Sequence, residues 1–313
     1  MKKEYLILIA LILIFSAYLL LHKESKDHYT LPVIEKIDVS KITGLVIAKK
    51  ENTIEFTKKG QNWILTDKGY PADLPSLENM LDTIKTFKLS ALVSQKEDLK
   101  RYELDDENRI QVNILVNAKP IFKFTMGKTA PTFNHTFIML TDNKNIYHAN
   151  GSFRSHFDKS LEDFRDKKVL EIKKEDVKQF TIEKDGLSST LISKEDKTDK
   201  QASAITWQSE TGTPADKEIV STLLSSVSFL ECEKYLDTPS KKDLEIQPPL
   251  CSIRLGNDGK TKLMLFKTDK EETLSGISSM NDYAFVLNQF NGKEIVSTID
   301  TLLGIPKKEE KTD

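Results

Sequence analysis

The side chains best able to do chemistry in this chain are two aspartates, five histidines and two cysteines. Asp73 and Asp216 close matched tripeptides, Pro71-Ala72-Asp73 and Pro214-Ala215-Asp216. A pair of carboxylates about 5 to 10 Å apart is the machinery of glycoside hydrolysis. These two residues are therefore the first candidates for a glycan hydrolase. Each also stands at the start of an amphipathic run, where an aspartate accepts hydrogen bonds from the free amides of a helix. Thr213-Pro214-Ala215-Asp216 also fits a capping box with proline at the first helical position. Capping outweighs catalysis, because the two aspartates belong to separate copies of one pattern.

The histidines are His22, His28, His135, His148 and His156. None shows a metal-ligand spacing and none is near a cysteine, so structural or solvent-facing roles are expected and no metal. There is no Gly-x-Ser-x-Gly elbow and no glycine-rich phosphate loop. Serine hydrolysis and ATP hydrolysis are therefore not expected of this chain, and no cofactor is expected. Asn134-His135-Thr136 and Asn150-Gly151-Ser152 match the glycosylation-acceptor pattern, a three-residue signature that recurs by chance. Cys232 and Cys251 are too few for a disulfide framework. Through the duplication Cys232 aligns with Leu89 and Cys251 falls near Ile110, so both replace apolar residues. An oxidising compartment would permit a bond between them if they meet in space.

The elements that must position these residues recur. Trp63-Ile64-Leu65, a turn, Tyr70-Pro71-Ala72-Asp73 and an amphipathic run from Leu77 to Phe87 form one copy. Trp207, a turn, Thr213-Pro214-Ala215-Asp216 and the run Ile219 to Leu230 form the other. The two tryptophans are the only ones present and stand 144 residues apart. Trp63 and Trp207 are expected in the core or over a turn. A period this long is not a solenoid; it signals two tandem domains of one fold.

Around each copy the pattern is that of strands. Residues 42–48 are apolar and β-branched, Ile54 and Phe56 alternate with polar residues, and 62–65 follows a turn; these read as an antiparallel meander. Leu77, Met80, Leu81, Ile84 and Phe87 form one helical face, with Pro75 in a tolerant first turn and Asp73 or Ser76 as cap. A charged loop spans 96–107. Alternation returns at Ile110, Val112 and Ile114, at Phe122, Phe124 and Met126, and in a hairpin around 142–144. Residues 153–164 read as a short helix or turn. The second copy repeats this with Phe180 and Ile182, strand 187–192, a polar insertion 193–203, a helix carrying Ile219, Leu223, Leu224, Val227 and Leu230, and strands at 253–255, 263–265 and 283–287. Asn291-Gly292 signals a hairpin, and 298–303 a short closing helix. The fold class is α+β, each repeat an antiparallel sheet with one main amphipathic helix.

The 313 residues suit two domains, with 38% hydrophobic and 30% charged side chains and a net charge of −2. A nucleic-acid binder would show a basic face, so that class is set aside. The N-terminus is different in kind. Lys2-Lys3-Glu4 precedes an apolar run from Tyr5 to Leu21, about 26 Å as a helix and close to the thickness of a bilayer. A cleaved signal peptide competes, but the apolar run continues past Ala17, and no cysteine follows for lipidation. The expected layout is a cytoplasmic tip 1–4, a transmembrane anchor 5–21, a tether 22–40, a first repeat 41–165, a second repeat 166–305 and a charged disordered tail 306–313. Lys2 and Lys3 keep the N-terminus inside, so the bulk of the chain would lie outside the inner membrane.

Taken in order, the tryptophan, Tyr70-Pro71-Ala72-Asp73, the helix, Tyr102-Glu103-Leu104 before an apolar strand, and Phe164-Arg165-Asp166-Lys167 before Val169-Leu170 resemble the bacterial family called domain of unknown function 4340. The second copy departs in having Thr213 where the first has Tyr70. The resemblance implies a partner class, since members are similar to companions of ABC-type transport systems of the gliding-motility kind. It carries no catalytic residue onto this chain. The resulting expectation is a non-enzymatic accessory or scaffold subunit beside an ABC-type transporter or related envelope machine. The alternatives are an envelope glycan hydrolase, or a periplasmic ligand- or polysaccharide-binding module using an exposed Trp63 or Trp207.

Overall fold

A computed structural model describes residues 3–21, 29–66, 68–96, 98–141, 143–196, 204–256, 258–268 and 273–306. The tail 307–313, residues 22–28 of the tether, 1–2 of the tip and 197–203 of the insertion lie outside the described residues. The chain divides into two compact units, Met1–Phe164 and Arg165–Asp313.

The apolar run forms helix α1, Lys3–Leu21. Every side chain described on it, Tyr5 and Leu8 to Tyr18, is exposed. Among the described residues no helix is long and apolar enough to cross a membrane. Lys3 and Glu4 occupy its first turn, and the remaining residues give about 26 Å against a hydrocarbon core of about 30 Å. The structure thus supplies an exposed apolar helix where a transmembrane span was expected over residues 5–21.

In the first unit, β1 (Gly44–Ala48), β2 (Thr53–Lys59), β3 (Asn62–Leu65) and β4 (Tyr70–Pro71) are followed by α2 (Leu74–Lys85) and β5 (Leu89–Ser94). Then come β6 (Ile110–Val116), β7 (Lys119–Thr129), β8 (His135–Leu140), β9 (Ile146–Asn150), α3 (Arg154–Phe157) and α4 (Leu161–Phe164). The strands form one sheet in the order β4-β3-β2-β1-β6-β7-β8-β9-β5. The strand before α2 therefore lies at one edge and the strand after it at the other. A flat sheet of nine strands would be about 38 Å wide, and α2 supplies only about 18 Å of that. The sheet must therefore curl around the helix.

The second unit holds β10 (Lys168–Glu171), β11 (Gln179–Lys184), β12 (Leu187–Asp196), β13 (Ala204–Ser209), β14 (Pro214–Ala215), α5 (Lys217–Ser228), β15 (Phe229–Glu231) and β16 (Lys234–Leu236). It continues with α6 (Lys241–Glu245), β17 (Cys251–Leu255), β18 (Thr261–Lys267), β19 (Leu274–Ser278), β20 (Ala284–Leu287) and α7 (Gln289–Leu303). Its sheet order, β14-β13-β12-β11-β17-β18-β19-β20-β16, repeats the first. A two-stranded ladder, β10 with β15, is added.

The repeats share packing as well as topology. Leu77, Met80 and Ile84 of α2 are buried, and Val220, Leu223 and Val227 of α5 stand at the same offset. Each such side chain contributes about 2 kcal/mol of burial. Val220, not Ile219, faces the core, because the cap at Asp216 fixes the phase of the helix. Leu45 pairs with Phe56 and Ile114 in one sheet, and Phe180 pairs with Leu191 and Leu255 in the other. The large and small partners have exchanged strands, which conserves core volume.

On the opposite face, Leu104 covers Phe137 and Ile146 in the first unit, and Leu244 covers Ile277 and Ala284 in the second. The Tyr102-Glu103-Leu104 element is thus a lid on the sheet. Tyr102 meets Phe137 edge-on at 4.8 Å, and Gly127 admits the backbone, since a Cβ there would lie 2.1 Å from the Tyr102 carbonyl oxygen.

Two local expectations fail for physical reasons. Asn291-Gly292 is not a hairpin but lies within α7, which extends back to Gln289. Asn288 caps that helix by accepting from the Asn291 amide at 2.8 Å, and Gly292 lets it approach Leu274. Strands β5, β10, β15 and β16 are additional and pair with partners distant in sequence; β19, also additional, pairs with its neighbours β18 and β20.

Candidate functional site

The Trp–Pro–Asp stretch is built the same way in both units. Asp73 has extended backbone angles, and its carboxylate accepts from the Ser76 amide at 2.9 Å. Asp216 accepts from the Glu218 and Ile219 amides at 2.8 and 3.3 Å. Both are helix caps, and they sit in separate units. Pro214 does not open its helix as the first-position reading expected, and Pro71 holds the matching place in the first unit. They lie in the edge strands β4 and β14, opposite Ile64 and Gln208, where proline is tolerated. The proline in a first helical turn is Pro75. Trp63 and Trp207 are each 8% exposed. Trp63 accepts from the Ala72 amide at 3.0 Å through its carbonyl, and Trp207 packs on Phe180 at 5.2 Å. Neither presents an open platform to a ligand.

A polar cluster gathers around the Phe164-Arg165-Asp166-Lys167 element. Phe164 is fully buried against Phe56 at 5.1 Å, and its carbonyl accepts from the Asp73 amide at 2.8 Å. In the second unit, Arg165 is 4% exposed and lies over Tyr235 at 3.9 Å and Tyr283 at 5.1 Å. The Tyr235 hydroxyl donates to the Asp166 carbonyl at 2.7 Å. Asn281 donates from Nδ2 to the Tyr235 hydroxyl at 3.1 Å and accepts from the Tyr283 amide at 2.9 Å.

Burial, then the neighbouring Cys232, pushes the Tyr235 phenol well above its ordinary range. Burial likewise raises the Cys232 thiol to about 11. A guanidinium stacked on two tyrosine rings is a cation–π clamp, and the raised Tyr235 phenol keeps its proton at neutral pH. Tyr235 and Tyr283 follow Arg165 by 70 and 118 residues. Nothing local in the sequence marks them as its partners.

Cys232 and Cys251 are both free and buried, so the disulfide considered for them is not formed. Burial raises the Cys251 thiol to about 12.

Among the histidines, His156 shares a 2.9 Å contact with the Thr83 hydroxyl; His22 and His28 lie outside the described residues. His135 and His148, unremarkable in sequence, are brought together: their rings stack at 5.0 Å and 20°. Burial, then the charge of His135, lowers the His148 imidazole. Among the described residues no cluster of three or more histidine, cysteine or acidic side chains could hold a metal ion.

One ionic cluster stands out in the first unit. Asp158 pairs with Lys49 at 2.8 Å and Arg154 at 3.0 Å beside a cleft of about 360 Å³. Burial works to raise its carboxyl, but the hydrogen bond and charge of Lys49, followed by Arg154, outweigh it and hold the carboxyl below its ordinary value.

A family profile described as "Domain of unknown function (DUF4340)" matches residues 63–249. The chain belongs to this family. The match begins at Trp63 and runs through both Trp–Pro–Asp stretches and the Phe164–Lys167 element, more than half of the chain. No curated protein matches the chain, and no solved structure matches it.

Proposed function

We propose that this DUF4340 protein is a non-enzymatic accessory or scaffold subunit. It is held at the inner membrane by α1, with the N-terminus inside and both sheet units outside the cytoplasm. Its partners are components of an ABC-type transporter or a related envelope machine. The observation that carries this reading is the exposure of α1. Leu13, Ile14 and Phe15 are 63 to 64% exposed, and a contiguous apolar surface of this kind calls for lipid or another protein. A short helix is accommodated by local thinning of the bilayer.

The candidate residues support a structural role. The aspartates are occupied as caps, the tryptophans are buried, and Arg165 is enclosed by tyrosines. Two sheets of one topology offer broad surfaces for protein contact. The test is carbonate extraction of membranes expressing the full chain, with a periplasmic-side protease digest, followed by mild solubilisation and affinity capture. Retention in the membrane pellet, protease access to both units and co-purified transporter subunits are expected. Release into the carbonate supernatant would overturn the anchor, and capture without any transport or envelope component would overturn the partner class.

A further inference from the structure

We propose that His135 and His148 form a binding site for a divalent transition-metal ion of the copper–zinc class, with one nitrogen donated from each ring. The site is independent of the transport reading above. It arises from the register of β8 and β9. Phe137 pairs with His148 and His135 with Asn150, which places the two histidines diagonally on one face of the ladder.

Their ring centroids are 5.0 Å apart. A metal–nitrogen distance of about 2.1 Å puts each centroid about 3.2 Å from the ion, and a tetrahedral angle then sets the two centroids about 5 Å apart. The rings stand near parallel, at 20°, so binding requires rotation about the broad χ2 torsion to bring the two in-plane lone pairs onto one ion.

Two further features point to a ligand. The His148 Nε2 is shielded from solvent and has no hydrogen-bond partner among the described residues. Such a group is rare in a native interior and calls for an ion or water. The His135 Nδ1 lies 3.3 Å from the Thr132 hydroxyl. That contact engages Nδ1 and leaves Nε2 as the ligand atom, the usual arrangement of a metal-binding histidine. Phe137, at 4.9 Å from the His148 ring, supplies an apolar wall. Imidazole donors suit copper, nickel and zinc, whereas magnesium and calcium take oxygen. Two protein ligands leave coordination positions for water or for a donor from a partner.

The test is calorimetric titration of the full chain, purified in detergent with a histidine-free tag, using Zn²⁺, Cu²⁺ and Mg²⁺ in turn. One Zn²⁺ per chain, tighter Cu²⁺ and no Mg²⁺ binding are expected. His135→Gln and His148→Gln should each weaken Zn²⁺ by at least about tenfold. His156→Gln and a His22→Gln/His28→Gln double variant should bind as the parent does. Metal-free thermal scans verify folding; should His148→Gln unfold, His135→Gln at the start of β8 carries the test alone. Absence of Zn²⁺ and Cu²⁺ binding, equal binding of Mg²⁺, or undiminished binding by His135→Gln overturns the proposal.

Discussion

Replacing Asp73 by alanine and by asparagine separates a helix cap from a catalytic carboxylate. The carboxylate makes one cap bond, to the Ser76 amide at 2.9 Å. Alanine leaves that amide without a side-chain acceptor, at a cost of about 1 kcal/mol. Asparagine keeps an acceptor and loses only the interaction of charge with the helix dipole, about 0.5 kcal/mol. For a unit of this size 1 kcal/mol corresponds to about 2–4 °C in Tm.

The molecule provides its own reporters, since Trp63 and Trp207 are its only tryptophans and stand one in each unit. In a Trp207→Phe background the fluorescence of Trp63 follows the first unit alone during urea unfolding. Asp73→Ala should lower the midpoint of that transition, with Asp73→Asn between it and the parent. At Asp216, which accepts two amide bonds, alanine should cost at least as much, read through Trp207 with Trp63→Phe. An asparagine variant as unstable as alanine, or an alanine variant as stable as the parent, would refute the capping argument.

Arg165→Ala should destabilise the second unit by about 2 kcal/mol or more through loss of the stacked tyrosines, measured by Trp207 fluorescence in urea. Tyr235→Phe, which removes the bond to the Asp166 carbonyl, should cost about 1 kcal/mol. Gly127→Ala forces a Cβ to 2.1 Å from the Tyr102 carbonyl oxygen and should cost about 1–3 kcal/mol, read through Trp63.

Cys232 and Cys251, with thiols raised to about 11 and about 12, should resist alkylation at pH 8 and react fully in urea. Because the folded thiols hold their protons while unfolded ones ionise near pH 9, their contribution to stability is intact below pH 9. It falls as the pH rises from there toward 11 to 12. A smaller loss of stability between pH 8 and 10 in Cys232→Ala/Cys251→Ala than in the parent is expected, and an equal loss in both would refute the assignment.

The sequence by itself determined what short-range chemistry and self-similarity can carry. The matched Pro-Ala-Asp tripeptides announced the duplication, helix periodicity located α2 and α5, and strict alternation located β2, β6 and β11. Asp73 and Asp216 were legible as caps because a cap is a local contact between a side chain and amides two or three residues away. Where a choice depended on distant partners, only the tertiary structure decided it. The helix that absorbs Asn291-Gly292 is such a case, since it rests on the close approach of Gly292 to Leu274.

The curled sheet, with its β4 and β5 edges joined by one helix, is a property of strand order, which alternation does not encode. The same holds for the tyrosines around Arg165 and the stacking of His135 on His148. The tyrosines lie 70 and 118 residues from Arg165, and no local spacing records them; the two histidines share one hairpin, but its register alone puts them on one face. The duplicated architecture was therefore readable from the chain, while the side-chain clusters that could bind or clamp exist only because the ladders bring them together.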